Sequence, residues 1–258
     1  MDASIHLHIL ASGSKGNAAV VEGPSGSVLV DCGISRRELH RRADAAEVDL
    51  SCVEAILVTH EHTDHTSGLP VVCKHFDGPV YATFGTAHAR PALAALPFTT
   101  VARDVTLSLG GMHVQAFPLS HDVADPICFR FEAWEQDHLV DALAWATDTG
   151  VLTKQALEAL HGCRILGIEA NHDREMLATG PYPYFLQKRV GGNHGHLSNA
   201  QAAEALPQLL TSETQTVVAM HISQKNNLPS LAHDALCEAV GTQAEVLVAS
   251  QTEPLTIW

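Results

Sequence analysis

The sequence predicts an α/β domain in which two sheets pack face to face and helices cover them from outside. Three observations predict this. Short apolar runs, among them Ala55-Ile56-Leu57-Val58 and Thr216 to Met220, recur along the chain and read as buried strands. Helical stretches follow the strands, and this order occurs in two successive halves. No Pro/Gly-rich linker or low-complexity segment divides the halves, so residues 1–258 are expected to form a single domain. With 258 residues, 46% of them hydrophobic, the chain is long and apolar enough for a sizeable core.

Taken in order, Ile5 to Leu10 and Ala18 to Glu22 read as strands around the loop Ala11-Ser12-Gly13-Ser14-Lys15-Gly16-Asn17. Pro24-Ser25-Gly26 reads as a hairpin turn before the strand Ser27 to Gly33. Ser35 to Ala46 reads as a helix, Ala55 to Val58 as a strand, Ser67 to His75 as a helix and Val80 to Ala82 as a strand. Thr86 to Leu96 is Ala-rich and helical, limited or kinked by Pro91. Val105 to Leu109 and His113 to Phe117 form a hairpin around Gly110-Gly111. Strands follow at Cys128 to Glu132 and Ala142 to Ala146, then a helix at Leu152 to Leu160 and a strand at Arg164 to Ile168. Ala200 to Leu210 is a helix that Ser198 or Asn199 could cap. Thr216 to Met220 is a strand, Ser230 to Val240 a helix, and Glu245 to Ala249 and Leu255 to Trp258 short strands.

Charge and composition narrow the classes. A formal charge of −14 argues against broad, non-specific affinity for nucleic acid, which rests on neutralising phosphates. A polyanionic substrate would have to be held by a local basic patch and by bound cations. The six cysteines are scattered without a C-x-x-C pair and read as reduced small side chains. The start, Met1-Asp2-Ala3-Ser4, lacks a basic segment followed by a long apolar run, and no stretch is long enough to span a bilayer; a cytoplasmic, non-membrane protein is expected. At 5% aromatic, the sequence shows no base-stacking platform.

The chemistry concentrates in Thr59-His60-Glu61-His62-Thr63-Asp64-His65, directly after the strand Ala55 to Val58. His60 and His62 flank one residue, so in extended backbone both rings point the same way. Asp64 continues that face, and His65 follows as the chain turns. Imidazole and carboxylate suit zinc, manganese or iron. The stretch offers more ligands than one tetrahedral ion takes from a single loop. It therefore suggests two neighbouring ions, each completed from later in the chain.

This stretch resembles the signature of the metallo-β-lactamase fold superfamily, in the form its dinuclear hydrolases use. The resemblance implies a four-layer αββα sandwich with metals at the sheet edge. Later residues then fall into the order it requires. His121, after the strand His113 to Phe117, is the third imidazole beside His60 and His62. Asp148 in Thr147-Asp148-Thr149-Gly150, read alone only an Asp-Gly turn, becomes the carboxylate that bridges two ions. His221, closing Thr216 to Met220, joins Asp64 and His65 at the second ion. Asp31 closes a strand near the site and is expected to be a buried structural carboxylate.

The order HEHTDH, SHD, TDTG, EANHD, GHLSN, HIS spans nearly the whole chain, and within that superfamily it resembles the YycJ (WalJ) family. The SGSKGN loop, Tyr182-Pro183 and Asn226-Asn227 resemble that family too. The resemblance implies two divalent cations, zinc or manganese with iron as a further option, and a 5′-to-3′ exodeoxyribonuclease with a role in mismatch repair. A more distant similarity, to transfer-RNA 3′-processing ribonucleases, implies catalytic roles for Glu169 and His196. Asp64 is expected to orient the nucleophile as well as bind metal. His172 and His194 are the alternatives to His196.

A nucleic-acid substrate, DNA in the first place, further needs phosphate contacts. Ser14, Lys15 and Asn17 could present donors, and Arg37 and Arg41 share a helix face at i, i+4. A nuclease predicts that Arg36, Arg37, Arg41, Arg42, Lys188 or Arg189 line a groove to the metals. The alternative readings are a small-molecule ester, thioester or cyclic phosphodiester hydrolase, which predicts an enclosed pocket, and a metal-binding regulatory protein without turnover. Oligomeric state is not readable from these features.

Overall fold

The computed structural model describes residues 4–103 and 105–258; the reading of the first three residues lies outside them. The first half runs through β1 (His6–Ala11), β2 (Ala18–Glu22), β3 (Ser27–Val30), α1 (Arg36–Ala45), β4 (Val53–Leu57), α2 (Thr63–Thr66), α3 (Leu69–Val72), β5 (Val80–Ala82), α4 (Phe84–His88), α5 (Pro91–Ala94) and β6 (Phe98–Thr100). The second runs through β7 (Thr106–Leu109), β8 (Met112–Pro118), β9 (Ile127–Glu135), β10 (His138–Ala146), α6 (Lys154–Leu160), β11 (Ile165–Glu169), α7 (Arg174–Thr179), α8 (Tyr184–Val190), α9 (Asn199–Leu209), β12 (Thr216–Met220), α10 (Pro229–Val240), β13 (Glu245–Val248) and β14 (Leu255–Ile257).

Among the described residues the strands form two sheets, ordered β14-β1-β2-β3-β4-β5-β6 and β13-β12-β11-β10-β9-β8-β7. Each sheet joins an antiparallel part to a parallel part. β3 to β6 are parallel in the first sheet and β10 to β13 in the second. Period-2 alternation divides the apolar side chains. Leu7, Ile9, Val28 and Val30 face the opposite sheet, where they meet Phe129, Trp145 and Met220. Leu10 and Leu29 point the other way, under Leu39 and Ala43 of α1. Across the molecule Ala144 and Leu166 lie under Leu206 of α9 and Leu236 of α10. Strands buried on both faces explain why the sequence shows continuous apolar runs. The expected αββα sandwich is what forms.

Local departures have local causes. The expected helix Thr86 to Leu96 is two, because Arg90 is extended before Pro91, which opens α5. The expected helix Ser67 to His75 is replaced by α2 and α3, which meet at Ser67-Gly68. β9 and β10 extend the expected strands into a long hairpin that pairs as far as Glu135 and His138. Short β6, α7 and α8 were not foreseen. Ser198 is the cap of α9: its hydroxyl accepts from Gln201 N–H, and the Gln201 side chain accepts from Ser198 N–H. The six cysteines are free. Among the described residues no helix is long and apolar enough to cross a membrane.

Candidate metal centre

The carboxyl ends of β3, β4, β10, β11 and β12 open onto one edge of the sandwich, the usual place for ligands in α/β sheets. Beyond them stand Asp31, the His60 loop, Asp148 and His221, and Glu169 is the last residue of β11. Asp31, Asp148 and His221 take positive φ of 59°, 57° and 55°. Left-handed backbone costs a non-glycine residue about 1–2 kcal/mol. Three such residues meet at one sheet edge, where the turn aims each side chain inward.

The chain stays extended only to His62. From Thr63 it is helical, and His65 N–H donates to His62 O at 3.0 Å. Contrary to the expectation, Asp64 therefore does not continue the face of His60 and His62. The helical turn carries Asp64 and His65 to a second cluster instead.

Three overlapping clusters result. His60, His62, His121 and Asp148 each offer a ligand atom within 4.8 Å of the others, and so do Asp64, His65, Asp148 and His221, and Asp148, Glu169, His196 and His221. Asp148 belongs to all three, and it gives one oxygen to each of the first two. Its Oδ2 is 3.8 Å from His60 Nε2 and 4.0 Å from His121 Nε2. Its Oδ1 is 3.4 Å from His65 Nε2, and in the same cluster Asp64 Oδ2 is 3.5 Å from His221 Nε2.

Outer partners fix the rings. His65 Nδ1 donates to Asp31 Oδ2 at 2.7 Å, His121 Nδ1 to Gly195 O at 2.8 Å, and His221 Nδ1 to Glu169 Oε1 at 3.1 Å. Each bond leaves Nε2 turned to the cluster. His60 Nδ1 meets Thr59 Oγ1 at 3.0 Å, and that hydroxyl donates to Asp31. Asp31 is buried as expected, and it holds the loop that carries the ligands. Glu61 Oε1 accepts Ala124 N–H at 2.7 Å, tying the loop of His60 and His62 to the loop of His121.

The donor set fits cations. His60 Nε2 and His221 Nε2 are buried without a hydrogen-bond partner. Such orphaned atoms are costly unless something binds them. Burial, with His65 beside it, holds His60 well below the usual imidazole range, which keeps it neutral as a ligand must be. Burial works against charge on His221, yet Asp148, Asp64 and Glu169 push it up to about 10. Burial pushes Asp148 up, but His221 and His65 outweigh it and hold the carboxyl well down. The carboxylates of Asp64, Asp148 and Glu169 favour positive charge at this centre.

A cavity of about 240 Å³ opens on the clusters, lined among others by Ser14, Asp122, His196 and, from α8, Leu186, Arg189 and Val190. Glu169 Oε1 holds His196 Nδ1 at 2.7 Å. Burial works against charge on His196, but Glu169 outweighs it and raises its pKa. His172 is buried away from this cavity, and exposed His194 meets Ser120 Oγ at 3.1 Å.

The expected substrate contacts divide. Ser14 lines the cavity. Lys15 is exposed, and its backbone N–H donates to Gln251 Oε1. Asn17 is a correction: it is buried, and its amide bonds Gly13 O, Asp64 O and His65 Nε2. A cation bound at His65 Nε2 would displace that last contact. The basic track along α1 is also corrected. α1 lays Leu39 and Ala43 on the sheet, which leaves Arg37 exposed and Arg41 paired with Glu38 at 2.9 Å. Arg36 lines a separate cavity, and buried Arg42 donates to Leu10 O and Gln251 O. Of the expected basic residues, Arg189 faces the site, where it pairs with Asp122. Asp122, Leu186 and Val190 carry no sequence signal beyond SHD for the first. Thr59 and Glu61 stand within the motif but were not singled out.

With this geometry in place, comparison with known proteins is decisive. The beta-lactamase superfamily domain model matches residues 27–222. An exodeoxyribonuclease YycJ from Bacillus anthracis is 34% identical over 241 residues, covering 92% of this chain and 89% of its own. The chain belongs to the YycJ/WalJ family of the metallo-β-lactamase superfamily. A WalJ exodeoxyribonuclease from Streptococcus pneumoniae is 31% identical over 231 residues, covering 87% of this chain and 84% of its own. In fold, the YycJ/WalJ chain is similar to the metallo-β-lactamase fold protein YhfI from Bacillus subtilis, with a TM-score of 0.71, 13% identity and coverage of 98% and 100%.

Proposed function

We propose that the protein is a dinuclear metal-dependent phosphodiesterase that removes nucleotides from DNA, 5′ to 3′, with mismatch repair as its setting. Zinc or manganese is the cation, with iron as a further option, and residues 1–258 act as one domain in the cytoplasm. The observation that carries this reading is Asp148, one buried carboxylate whose two oxygens face two ligand clusters. Relatives named exodeoxyribonucleases at 34% and 31% identity support the substrate.

His60, His62 and His121 would hold one cation and Asp64, His65 and His221 the other, with Asp148 shared between them. When bound, two such ions supply an acidified water and neutralise charge on the phosphoryl oxygens. Asp64, partly exposed to the cavity, orients the nucleophile. His196, held by Glu169, carries its proton on the ring nitrogen turned away from Glu169 and gives it to the leaving oxygen. Arg189, at the cavity wall, offers a charged fork to a phosphate.

One observation favours a second reading, a small phosphodiester or thioester: the arginines of α1 do not line the cavity. Metal-reconstituted protein on end-labelled DNA and RNA separates the two. Progressive loss of nucleotides from one end supports the nuclease and gives polarity and sugar preference. Turnover of bis(p-nitrophenyl) phosphate or a thioester without cleavage of either polymer contradicts it.

A further inference from the structure

Helix α8 has two working faces. Leu186, Arg189 and Val190, spaced i, i+3, i+4, turn to the metal cavity. Tyr184, Gln187 and Lys188, with the same spacing, turn to another cavity of about 560 Å³, whose wall also includes His172, Arg174 and Gln201. This second cavity carries two cationic side chains, Arg174 and Lys188, in a chain of net charge −14. Arg174 Nε donates to Ser198 Oγ at 3.2 Å, and its Nη2 stands 3.9 Å from exposed Glu204, so most of the guanidinium fork is uncommitted. Lys188 Nζ lies 5.4 Å from the centroid of the Tyr184 ring. His172 is buried to 2%, and its Nδ1 has no hydrogen-bond partner.

The same helix carries two large exposed aromatic side chains, Tyr184 at 71% and Phe185 at 72% exposure. Neighbours on a helix point in different directions, so Tyr184 turns to the second cavity while Phe185 stands exposed beside it. Composition gave no hint of this platform, because two rings at one place barely change the aromatic content. Exposed aromatic rings beside cations are the chemistry that binds single-stranded nucleic acid, with bases on the rings and phosphates on the cations.

We propose that α8 is a tract for single-stranded nucleic acid, with bases stacked on Tyr184 and Phe185 and phosphates held by Lys188 and Arg174, as the strand passes over the helix toward the metal cavity. This rests on the nuclease reading above and deepens it, since it names single strands as the form that enters. Crossing one helix takes an extended strand about 10 Å. The tract also supplies the local basic patch that the acidic chain needs and that α1 does not provide.

The test compares the full-length protein with Y184A/F185A and R174A/K188A. Anisotropy of a fluorescein-labelled oligo(dT) 12-mer in EDTA reads strand binding apart from metal ligation, and metal-loaded turnover of bis(p-nitrophenyl) phosphate reads the metal centre. The expected result is about 10- to 100-fold weaker binding by Y184A/F185A. R174A/K188A is expected to bind more weakly with a shallower salt dependence, by about 0.7 in log–log slope for each cation removed. Turnover of the small ester stays within twofold of wild type in both. Equal binding by both variants and wild type, or no binding by wild type, overturns the tract. Variant-sensitive binding by a wild type that degrades neither DNA nor RNA supports the tract and contradicts the nuclease reading, so the two fail separately.

Discussion

Glu169 and His196 form a pair at the back of the metal cavity, with Glu169 Oε1 2.7 Å from His196 Nδ1. The carboxylate is fully buried and also stands 3.1 Å from His221 Nδ1. Burial pushes its pKa up, yet His196 and His221 win and hold it at about 2. One acid group thus orients a proton donor and a metal ligand together.

That double role separates two variants. H196A is expected to lower kcat about 10²-fold or more while keeping metal content, because it removes only the donor. E169Q is expected to lower kcat by a similar factor and to weaken metal binding about 10- to 100-fold, because His221 loses its charged partner. Steady-state kinetics with metal titration checks this. Equal metal affinity in both variants would show that Glu169 does not act through His221.

Asp31 gives a second case of control at a distance. It accepts from His65 Nδ1 and from both the N–H and hydroxyl of Thr59, so one substitution loosens His65 and the loop of His60. D31N is expected to weaken metal binding about 10- to 100-fold. Calorimetric titration of the metal-free protein reads the change, and wild-type affinity in D31N would contradict it.

What the sequence made legible was local. Thr59 to His65 follows a strand directly, so its ligand chemistry is compressed into one readable stretch. His121, Asp148 and His221 each follow a strand, and their order along the chain placed them. Asp31 and Glu61 act through partners 34 and 63 residues away, which no spacing rule reveals. Arg41 and Arg42 show the limit most plainly. They are adjacent on one helix, yet one pairs in solvent and the other is pinned to two carbonyls inside, a difference made by tertiary packing. Helix α8 was missed because its seven residues follow Pro181-Tyr182-Pro183 and show no buried stripe.

Arg42 is accordingly a stability residue. R42A leaves the carbonyls of Leu10 and Gln251 without this donor in a buried position. A loss of about 2–4 kcal/mol in urea unfolding is expected, since charged donors and buried acceptors are both involved. The folded variant keeps wild-type kcat on bis(p-nitrophenyl) phosphate. A large fall in kcat with unchanged stability would return Arg42 to a substrate role.

Protonation of the ligand histidines predicts how metal binding depends on pH. His221 is raised to about 10 against an ordinary 6.5, and His65 is raised as well. A raised histidine favours the folded state fully below pH 6.5, and this stability is lost as pH rises through about 10. Metal-free protein is therefore expected to unfold at lower urea as pH rises across that window. Metal binding at pH 7.5 is expected to release protons from both rings and to tighten with pH. Calorimetry in buffers of different ionisation enthalpy counts the protons; no release would contradict protonated rings.

The shared carboxylate is tested most directly by counting metal in D148A. Elemental analysis after reconstitution with manganese or zinc and gel filtration is expected to give two ions per chain for wild type. D148A is expected to hold one or none and to lose activity on end-labelled DNA. Two tightly held ions in D148A, or one ion in a fully active wild type, would contradict a dinuclear centre bridged by Asp148.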